Sequence, residues 1–136
     1  MEIRPGKGRP RVLVVEDDDG VAGMLSICLA AGGFEVTRAI LGADALSILE
    51  SKPVNAVILD LSLPDGLGKE VLNRLREPSS CSPAYLVISA LERGEVMSKF
   101  GPPEERFVPK PFDPWVLIGK LEKLLESEEP SEGESR

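Results

Sequence analysis

Short apolar runs alternate along this chain with stretches in which apolar residues recur at helical spacing. Residues 11–15, 56–60 and 84–88 are nearly continuous apolar runs rich in β-branched side chains, a pattern typical of strands buried on both faces of a parallel sheet. Residues 34–39 alternate between apolar and polar side chains, which predicts a strand with one exposed side. With a short run at 106–108, the pattern predicts five strands.

The segments between the strands carry apolar residues three and four positions apart, which predicts amphipathic helices. The first is capped by Asp18 or Asp19 and stopped by Gly32 and Gly33. A weak helical pattern covers residues 92–100, and the Gly-Pro-Pro that follows would end it, because proline lacks an amide and constrains the residue before it. The apolar residues that mark these helices are Val21, Met24, Leu25, Cys28, Leu29, Ala43, Leu46, Ile48, Leu49, Val71, Leu72, Leu75, Val116, Leu117, Leu121, Leu124 and Leu125.

Strand and helix thus alternate five times with short connections. This predicts an α/β fold, a five-stranded parallel sheet doubly wound by right-handed crossovers with helices on both faces. The apolar first strand belongs in the interior and the amphipathic second strand fits an edge, so the expected strand order is the flavodoxin-like 2-1-3-4-5. Ligands of such sheets bind outside the carboxyl ends of the strands, at the switch point between strands one and three.

The length of 136 residues and the hydrophobic content of 42% fit one domain, in which roughly two thirds of the unfolded chain's surface is buried. We expect that domain over residues 11–126. Residues 1–10 are basic and rich in Gly and Pro, which predicts a flexible arm. Residues 127–136 are rich in Glu and Ser without apolar anchors, which predicts a disordered acidic tail or linker. The net charge of −7 argues against a nucleic-acid surface on this domain.

What the sequence lacks disfavours several classes of protein. Two cysteines are too few for a disulfide framework; Cys28 is expected as a reduced core thiol and Cys81 lies in a Pro/Ser loop. No apolar run is long enough to cross a bilayer and no signal peptide is evident, so we expect a cytoplasmic protein. The chain has no histidine, which excludes a phosphohistidine donor, a Ser/His or Cys/His couple and imidazole metal ligands within it.

Carboxylates follow two strands that are neighbours in the predicted sheet. Glu16 and Asp17 come directly after the first strand, and Asp60 closes the third, so all three are expected at the switch point. Carboxylates packed together repel one another unless their pKa values rise or a cation neutralises them. Oxygen ligands alone favour a hard ion, and Mg²⁺ fits best. Each acid also has a purely structural interpretation, as a helix cap or turn former.

A hydroxyl and an ammonium group are predicted at the same edge of the sheet. Ser89 ends the fourth strand and Lys110 follows the fifth. With the acids they fit a phosphoryl group: Asp60 would be the nucleophile that forms an aspartyl phosphate, Mg²⁺ would neutralise charge, and Ser89 and Lys110 would bind phosphoryl oxygens. Taken alone, Ser89 could be a cap and Lys110 a solvated surface charge.

At this point the sequence resembles the receiver domain of two-component response regulators, and the resemblance covers residues 11–125. The motifs that carry it are Val-Val-Glu16-Asp17-Asp18, Leu-Asp60-Leu-Ser-Leu-Pro64-Asp65-Gly66, Ser89-Ala90 and Lys110-Pro111-Phe112, each after its strand. Pro102 and Pro103 depart from the usual turn after the fourth helix, which bears on the length and mobility of that helix.

The resemblance implies a role for each site residue. Asp60 would accept a phosphoryl group from the histidine of a partner kinase or histidine phosphotransfer protein. Glu16, Asp17, Asp60 and the backbone carbonyl of Ser62 would hold Mg²⁺. Ser89 would be the switch hydroxyl, Lys110 the phosphoryl-binding lysine and Phe107 the aromatic residue that moves inward on activation. The Lys110–Pro111 bond would be cis.

The same resemblance sets expectations for the output. The domain would catalyse only its own phosphorylation and dephosphorylation and would not otherwise be an enzyme. The surface of the fourth helix, fifth strand and fifth helix would change and pass the signal to a downstream protein or an output domain outside this chain. Phosphorylation could also produce a homodimer.

Three other functions fit the fold less well. A phosphate-ester hydrolase with an aspartyl nucleophile would want a second acid two residues after Asp60, where Ser62 stands. A flavin carrier would need a Gly/Ser/Thr-rich phosphate loop after the first strand, but the acids there would repel the cofactor. A degenerate receiver acting as a phosphorylation-independent scaffold stays open, although the chemical residues are all present.

Overall fold

Strands and helices alternate as predicted in the described part of the chain, residues 8–78, 82–101 and 104–128 of a computed structural model. The elements are β1 (Arg11–Val15), α1 (Asp19–Ala31), β2 (Glu35–Ala39), α2 (Gly42–Ser51), β3 (Ala56–Asp60), α3 (Gly68–Arg76), β4 (Ala84–Ser89), α4 (Arg93–Phe100), β5 (Phe107–Pro109) and α5 (Pro114–Glu128), with a short 3₁₀ turn at Glu104–Arg106.

The five strands form one parallel sheet in the order β2-β1-β3-β4-β5, which confirms the predicted fold class. In the register of β1 and β3, Val15 lies beside Leu59, so the two strands end at the same level. The pairing of β3 with β4 places Asp60 beside Ile88. The carboxyl ends of these three strands therefore form one edge from which their following loops depart.

Successive residues of each central strand enter two separate apolar layers, because side chains alternate across a strand. Leu13 and Val15 of β1 belong to the layer covered by α2, α3 and α4. Val12 and Val14 belong to the layer covered by α1 and α5. Burying a Val, Leu or Ile side chain stabilises the fold by roughly 1.5–3 kcal/mol, so the continuous apolar runs are what hold the sheet between its helices.

The weak helical pattern after β4 does form a helix. Glu92 caps α4, and a reciprocal capping box with Glu95 binds the first free amides. The helix ends at Gly101, whose φ of +77° favours glycine. Pro102 and Pro103 lie outside the described residues, as do Cys81, residues 1–7 of the predicted arm and residues 129–136 of the predicted tail. The α5 helix continues to Glu128, so the first two residues of the predicted tail are helical.

The connection between β3 and α3, residues 61–67, is pinned at both ends. At its start, the Leu61 amide donates to the carbonyl of Ile88 on β4, with 3.3 Å between nitrogen and oxygen. At its end, a side-chain carbon on Gly68 would overlap the carbonyl oxygen of Leu61. Glycine at position 68 therefore allows α3 to begin directly against the loop.

We expect Gly68→Ala to lower the free energy of unfolding by about 1–3 kcal/mol, the usual cost of forcing atoms into a filled space. The matched control is Gly119→Ala in α5, where the added carbon has no other atom within 4 Å; there the change should stabilise the protein by about 0.5–1 kcal/mol because alanine favours a helix. Urea denaturation of both variants measures the difference. Equal effects at the two positions would contradict the close contact at Gly68.

Candidate functional site

Three carboxylates meet where β1 and β3 end. One ligand oxygen from each of Glu16, Asp17 and Asp60 lies within 4.8 Å of the other two. Glu16 and Asp60 are buried, with 0% and 3% of their surface exposed, whereas Asp17 is exposed. The residues follow adjacent parallel strands, and for that reason the sheet brings together side chains that are more than forty positions apart in the sequence.

Lys110 reaches this cluster from the end of β5. Its Nζ lies 3.1 Å from Asp60 Oδ2, to which it donates a hydrogen bond, and 3.0 Å from Glu16 Oε1. The contact with Glu16 is a short ion pair to a fully buried carboxylate oxygen. One ammonium group therefore faces two buried carboxylates.

The environment shifts the pKa values of two of these groups. Burial raises the pKa of Glu16 to about 7, and the Asp60 carboxylate adds to the rise, against the opposing effects of the Asp18 amide and Lys110. Burial alone would lower the pKa of Lys110, but the neighbouring carboxylates of Glu16 and Asp60 outweigh it and raise that pKa above its ordinary value. Lys110 therefore stays protonated at neutral pH.

The remaining predicted residues lie at the same edge of the sheet. The Ser62 amide donates to Asp60 Oδ1 at 3.0 Å. Each carboxylate oxygen of Asp60 thus has its own donor, because Lys110 donates to Oδ2. Ser89 is fully buried, one residue beyond Ile88, the β4 partner of Asp60. Its hydroxyl oxygen accepts from the Leu91 amide at 3.0 Å, and its carbonyl accepts from the Lys110 amide at 2.9 Å. The Lys110–Pro111 bond is cis.

Phe107 is already buried at the start of β5. Only 3% of its surface is exposed, and it packs in the apolar layer beneath α4. The guanidinium carbon of Arg93 on α4 lies 5.6 Å from the centre of its ring, within the range of a cation–π contact. The role of Phe107 as a switch stays a prediction. Because its ring contacts α4, a movement of the ring would alter the packing of that helix.

Sequence reasoning missed two residues that support the site. Arg38 on β2 donates from Nε to the carbonyl of Glu16 at 3.0 Å and pairs with Asp19 at 2.9 Å. Asp65, which entered the sequence analysis only as part of the motif after Asp60, accepts from the amides of Gly42 and Ala43 at the start of α2. A signal for Asp65 was available: α2 begins after Leu41, which has no side chain able to cap a helix.

The donor set fits a magnesium ion. It consists of carboxylate oxygens without histidine or thiolate, the chemistry that hard divalent cations prefer. The buried carboxylates of Glu16 and Asp60 share the ammonium group of Lys110, which leaves room for a further positive charge beside them. Glu16, Asp17 and Asp60 are the side chains that could hold the ion.

Comparison with known proteins agrees with this geometry. The model of the response regulator receiver domain matches residues 12–122, which include every site residue described above. The chain belongs to the response regulator receiver family. The match extends from β1 into α5 and so includes the whole sheet.

Curated relatives and solved structures place the receiver among response regulators. It is 30% identical over 123 residues to response regulator MprA of Mycobacterium sp. (strain KMS), covering 90% of this chain and 54% of that protein. It is 32% identical to the DNA-binding response regulator MtrA of Mycolicibacterium smegmatis, covering 91% of this chain and 55% of the relative. The chain therefore spans about half the length of the curated relatives it matches.

A solved structure is similar over nearly its whole length. The crystal structure of a sensor protein from Polaromonas sp. JS666 aligns with a TM-score of 0.73 at 31% identity, covering 88% of this receiver and 98% of that chain. Among the described residues, moreover, the longest and most apolar helices fall short of what crossing a bilayer requires.

We expect Lys110→Met to lower the free energy of unfolding of the metal-free receiver by about 1–3 kcal/mol, because it leaves two buried carboxylates without their ammonium partner. Thermal unfolding in the presence of a chelator measures the loss. Lys120→Met, at an exposed position of α5, is the matched control and should change stability little. Indistinguishable melting temperatures for the two variants would contradict the proposed importance of the Lys110 contacts.

Proposed function

We propose that this receiver accepts a phosphoryl group on Asp60 from the phosphohistidine of a partner kinase or histidine phosphotransfer protein. The observation that supports this most directly is the environment of the Asp60 carboxylate. It is buried beside the carboxylates of Glu16 and Asp17, with the Ser62 amide on one oxygen and Lys110 on the other. Such a carboxylate is oriented before any reaction begins.

The transfer step conserves atoms and charge in a simple way. An oxygen of Asp60 attacks the phosphorus atom, the phosphorus–nitrogen bond of the donor breaks, and its electron pair stays on the imidazole, which is released protonated or takes a proton from solvent. The product on this chain is an acyl phosphate. Lys110, 3.1 Å from Asp60 Oδ2, binds the phosphoryl oxygens as negative charge moves onto that side of the pocket.

A magnesium ion held by Glu16, Asp17, Asp60 and the Ser62 carbonyl would neutralise charge on the phosphoryl oxygens. Glu16 and Asp60 keep this pocket negative, so the chain's own residues favour a cation together with the phosphoryl group over the anion alone. Loss of the phosphoryl group follows attack by water on phosphorus, which restores the Asp60 carboxylate. The domain thus acts catalytically only on its own modification.

The switch proposed here begins at Ser89. Its hydroxyl now accepts from the Leu91 amide, in the connection that leads to α4. A phosphoryl group on Asp60 is a charged acceptor to which the Ser89 hydroxyl can donate, and a turn of the side chain toward it would break the bond from the Leu91 amide. Moving Ser89 changes the support of α4, where Arg93 faces Phe107. The surface formed by α4, β5 and α5 is therefore the proposed output face.

The proposed partners follow from this chemistry. They are a cytoplasmic histidine kinase or phosphotransfer protein as donor, and a downstream protein or output domain outside this chain as receiver of the signal; a homodimer on phosphorylation is a further expected form. We assign no nucleic-acid or membrane contact to this domain. The scaffold alternative is not favoured, because the acids, hydroxyl and lysine needed for phosphoryl chemistry are all present.

We expect acetyl phosphate with Mg²⁺ to add one phosphoryl mass to the wild-type chain, at Asp60. Mass spectrometry of the intact protein and of its peptides detects the adduct. Asp60→Asn should abolish it, since the amide is not a nucleophile for this reaction, and a chelator should suppress it in the wild type. Asp44→Asn, at an exposed acid in the first turn of α2, is the control and should label normally. A phosphoryl adduct that persists in the Asp60→Asn variant would contradict the proposal that Asp60 is the acceptor.

A second prediction separates modification from switching. Beryllofluoride, a mimic of the phosphoryl group, should change the amide chemical shifts of Val96 and Phe107 in the wild type. Ser89→Ala should still bind beryllofluoride at Asp60, but those changes should be largely lost. The reason is that alanine keeps the buried packing while removing the hydroxyl that would move. Two-dimensional amide NMR measures the shifts, and undiminished changes in the variant would show that the signal takes another route.

A further inference from the structure

The Asp65 carboxylate joins the loop after Asp60 to a different helix. Its Oδ1 accepts from the Gly42 amide at 3.1 Å and its Oδ2 from the Ala43 amide at 3.0 Å. Both amides are free donors in the first turn of α2, and the residue before that turn, Leu41, offers no side-chain cap. Asp65 is thus the N-terminal cap of a helix that lies more than twenty residues earlier in the sequence.

The bond is matched by close packing of the same two segments. A side-chain carbon on Gly42 would lie 2.6 Å from Cβ of Leu67, so the start of α2 lies directly against the loop backbone. Asp65 also accepts from the Leu67 amide at 3.3 Å, which closes the loop on itself. Asp65 is exposed, and the hydrogen bonds from the amides of Ala43 and Gly42 lower its pKa. The cap is therefore a carboxylate at neutral pH.

A short and stiff path leads from this clamp to the reacting group. Ser62 binds Asp60 Oδ1 through its amide, and three positions further on Asp65 binds α2. Between them Pro64 has a restricted φ, and the Gly66 amide donates to the carbonyl of Leu63 at 3.0 Å. Few backbone torsions separate Asp65 from Ser62, so a displacement of Asp65 would also move the Ser62 backbone.

We propose that Asp65 is a positioning residue: by clamping the β3–α3 loop to α2, it sets the orientation of the Ser62 backbone and of Asp60 for binding Mg²⁺ and the phosphoryl group. This inference rests on the proposed function of the pocket. It assigns Asp65 no contact with the ion or the phosphoryl group; the residue acts through the loop. Groups that orient metal ligands from outside the first layer typically change metal affinity about 10–100-fold when removed.

The test is a calorimetric titration of magnesium chloride into the full chain, with melting temperature measured on the same samples. We expect Asp65→Ala to weaken Mg²⁺ binding about tenfold, at the lower end of that range because the residue is one step further away. Asp65→Asn, which can keep the Gly42 bond but offers no acceptor to Ala43, should fall between the wild type and Asp65→Ala. Labelling by acetyl phosphate at subsaturating Mg²⁺ should fall in the same order.

Asn55→Ala separates positioning from stability alone. Asn55 accepts from the Arg11 amide at 2.7 Å, before β3 begins, at the opposite edge of the sheet. The Asn55→Ala substitution removes the same kind of hydrogen bond between a side chain and the backbone. It should lower the melting temperature without changing Mg²⁺ affinity. Gly42→Ala places a side-chain carbon between α2 and the loop, which pushes them apart. It should weaken Mg²⁺ binding although Asp65 itself is unchanged.

The possible outcomes are distinct. Unchanged Mg²⁺ affinity in a folded Asp65→Ala protein would overturn the positioning role while leaving the proposed function standing. Equal weakening in Asn55→Ala would show a general effect of lost stability and would overturn it as well. A wild-type protein that neither binds Mg²⁺ nor labels at Asp60 would remove the proposed function itself. Weakening in the Asp65 and Gly42 variants alone supports the clamp.

Discussion

Two carboxylates buried side by side at the ends of neighbouring strands are the constraint on which this structure depends. Glu16 and Asp60 are almost completely removed from solvent, and a charge in that position is costly unless a partner of opposite sign is close. Lys110 supplies one positive charge to both. Because one ammonium cannot neutralise two carboxylates, the cluster favours a cation. Burial, with a smaller effect of the Asp60 carboxylate, also raises the pKa of Glu16.

The parallel sheet makes this arrangement affordable. Its central strands are apolar on both faces and covered by helices, so most of the stability comes from two hydrophobic layers that do not contain the carboxylates or Lys110. The polar residues are confined to the edge where the strands end. Stability and function are thus separated in space, and the cost of crowding the carboxylates can be offset elsewhere in the fold.

The loops around the pocket are linked to elements that do not touch it. Arg38 on β2 holds the Glu16 carbonyl, Asp65 ties the loop after Asp60 to α2, and the connection from Ser89 leads to α4, where Arg93 covers Phe107. These contacts have two different roles. The first two hold the backbone of the metal-binding groups in place, while the third joins the pocket to the proposed output face.

The local pattern of the sequence determined the elements and their order. Continuous apolar runs predicted buried strands, helical spacing predicted the helices, and the amphipathic pattern of β2 predicted its place at the edge. These predictions were possible because the buried faces of an element determine which of its sequence positions are apolar. The acids Glu16, Asp17 and Asp60 could be placed together for the same reason, since parallel strands end at one edge. Only the tertiary structure decided how Lys110 divides between two carboxylates, that Phe107 is already buried against Arg93, and that Asp65 caps α2. Those contacts join side chains distant in sequence, and their geometry depends on how loops and helices pack, which no periodicity encodes.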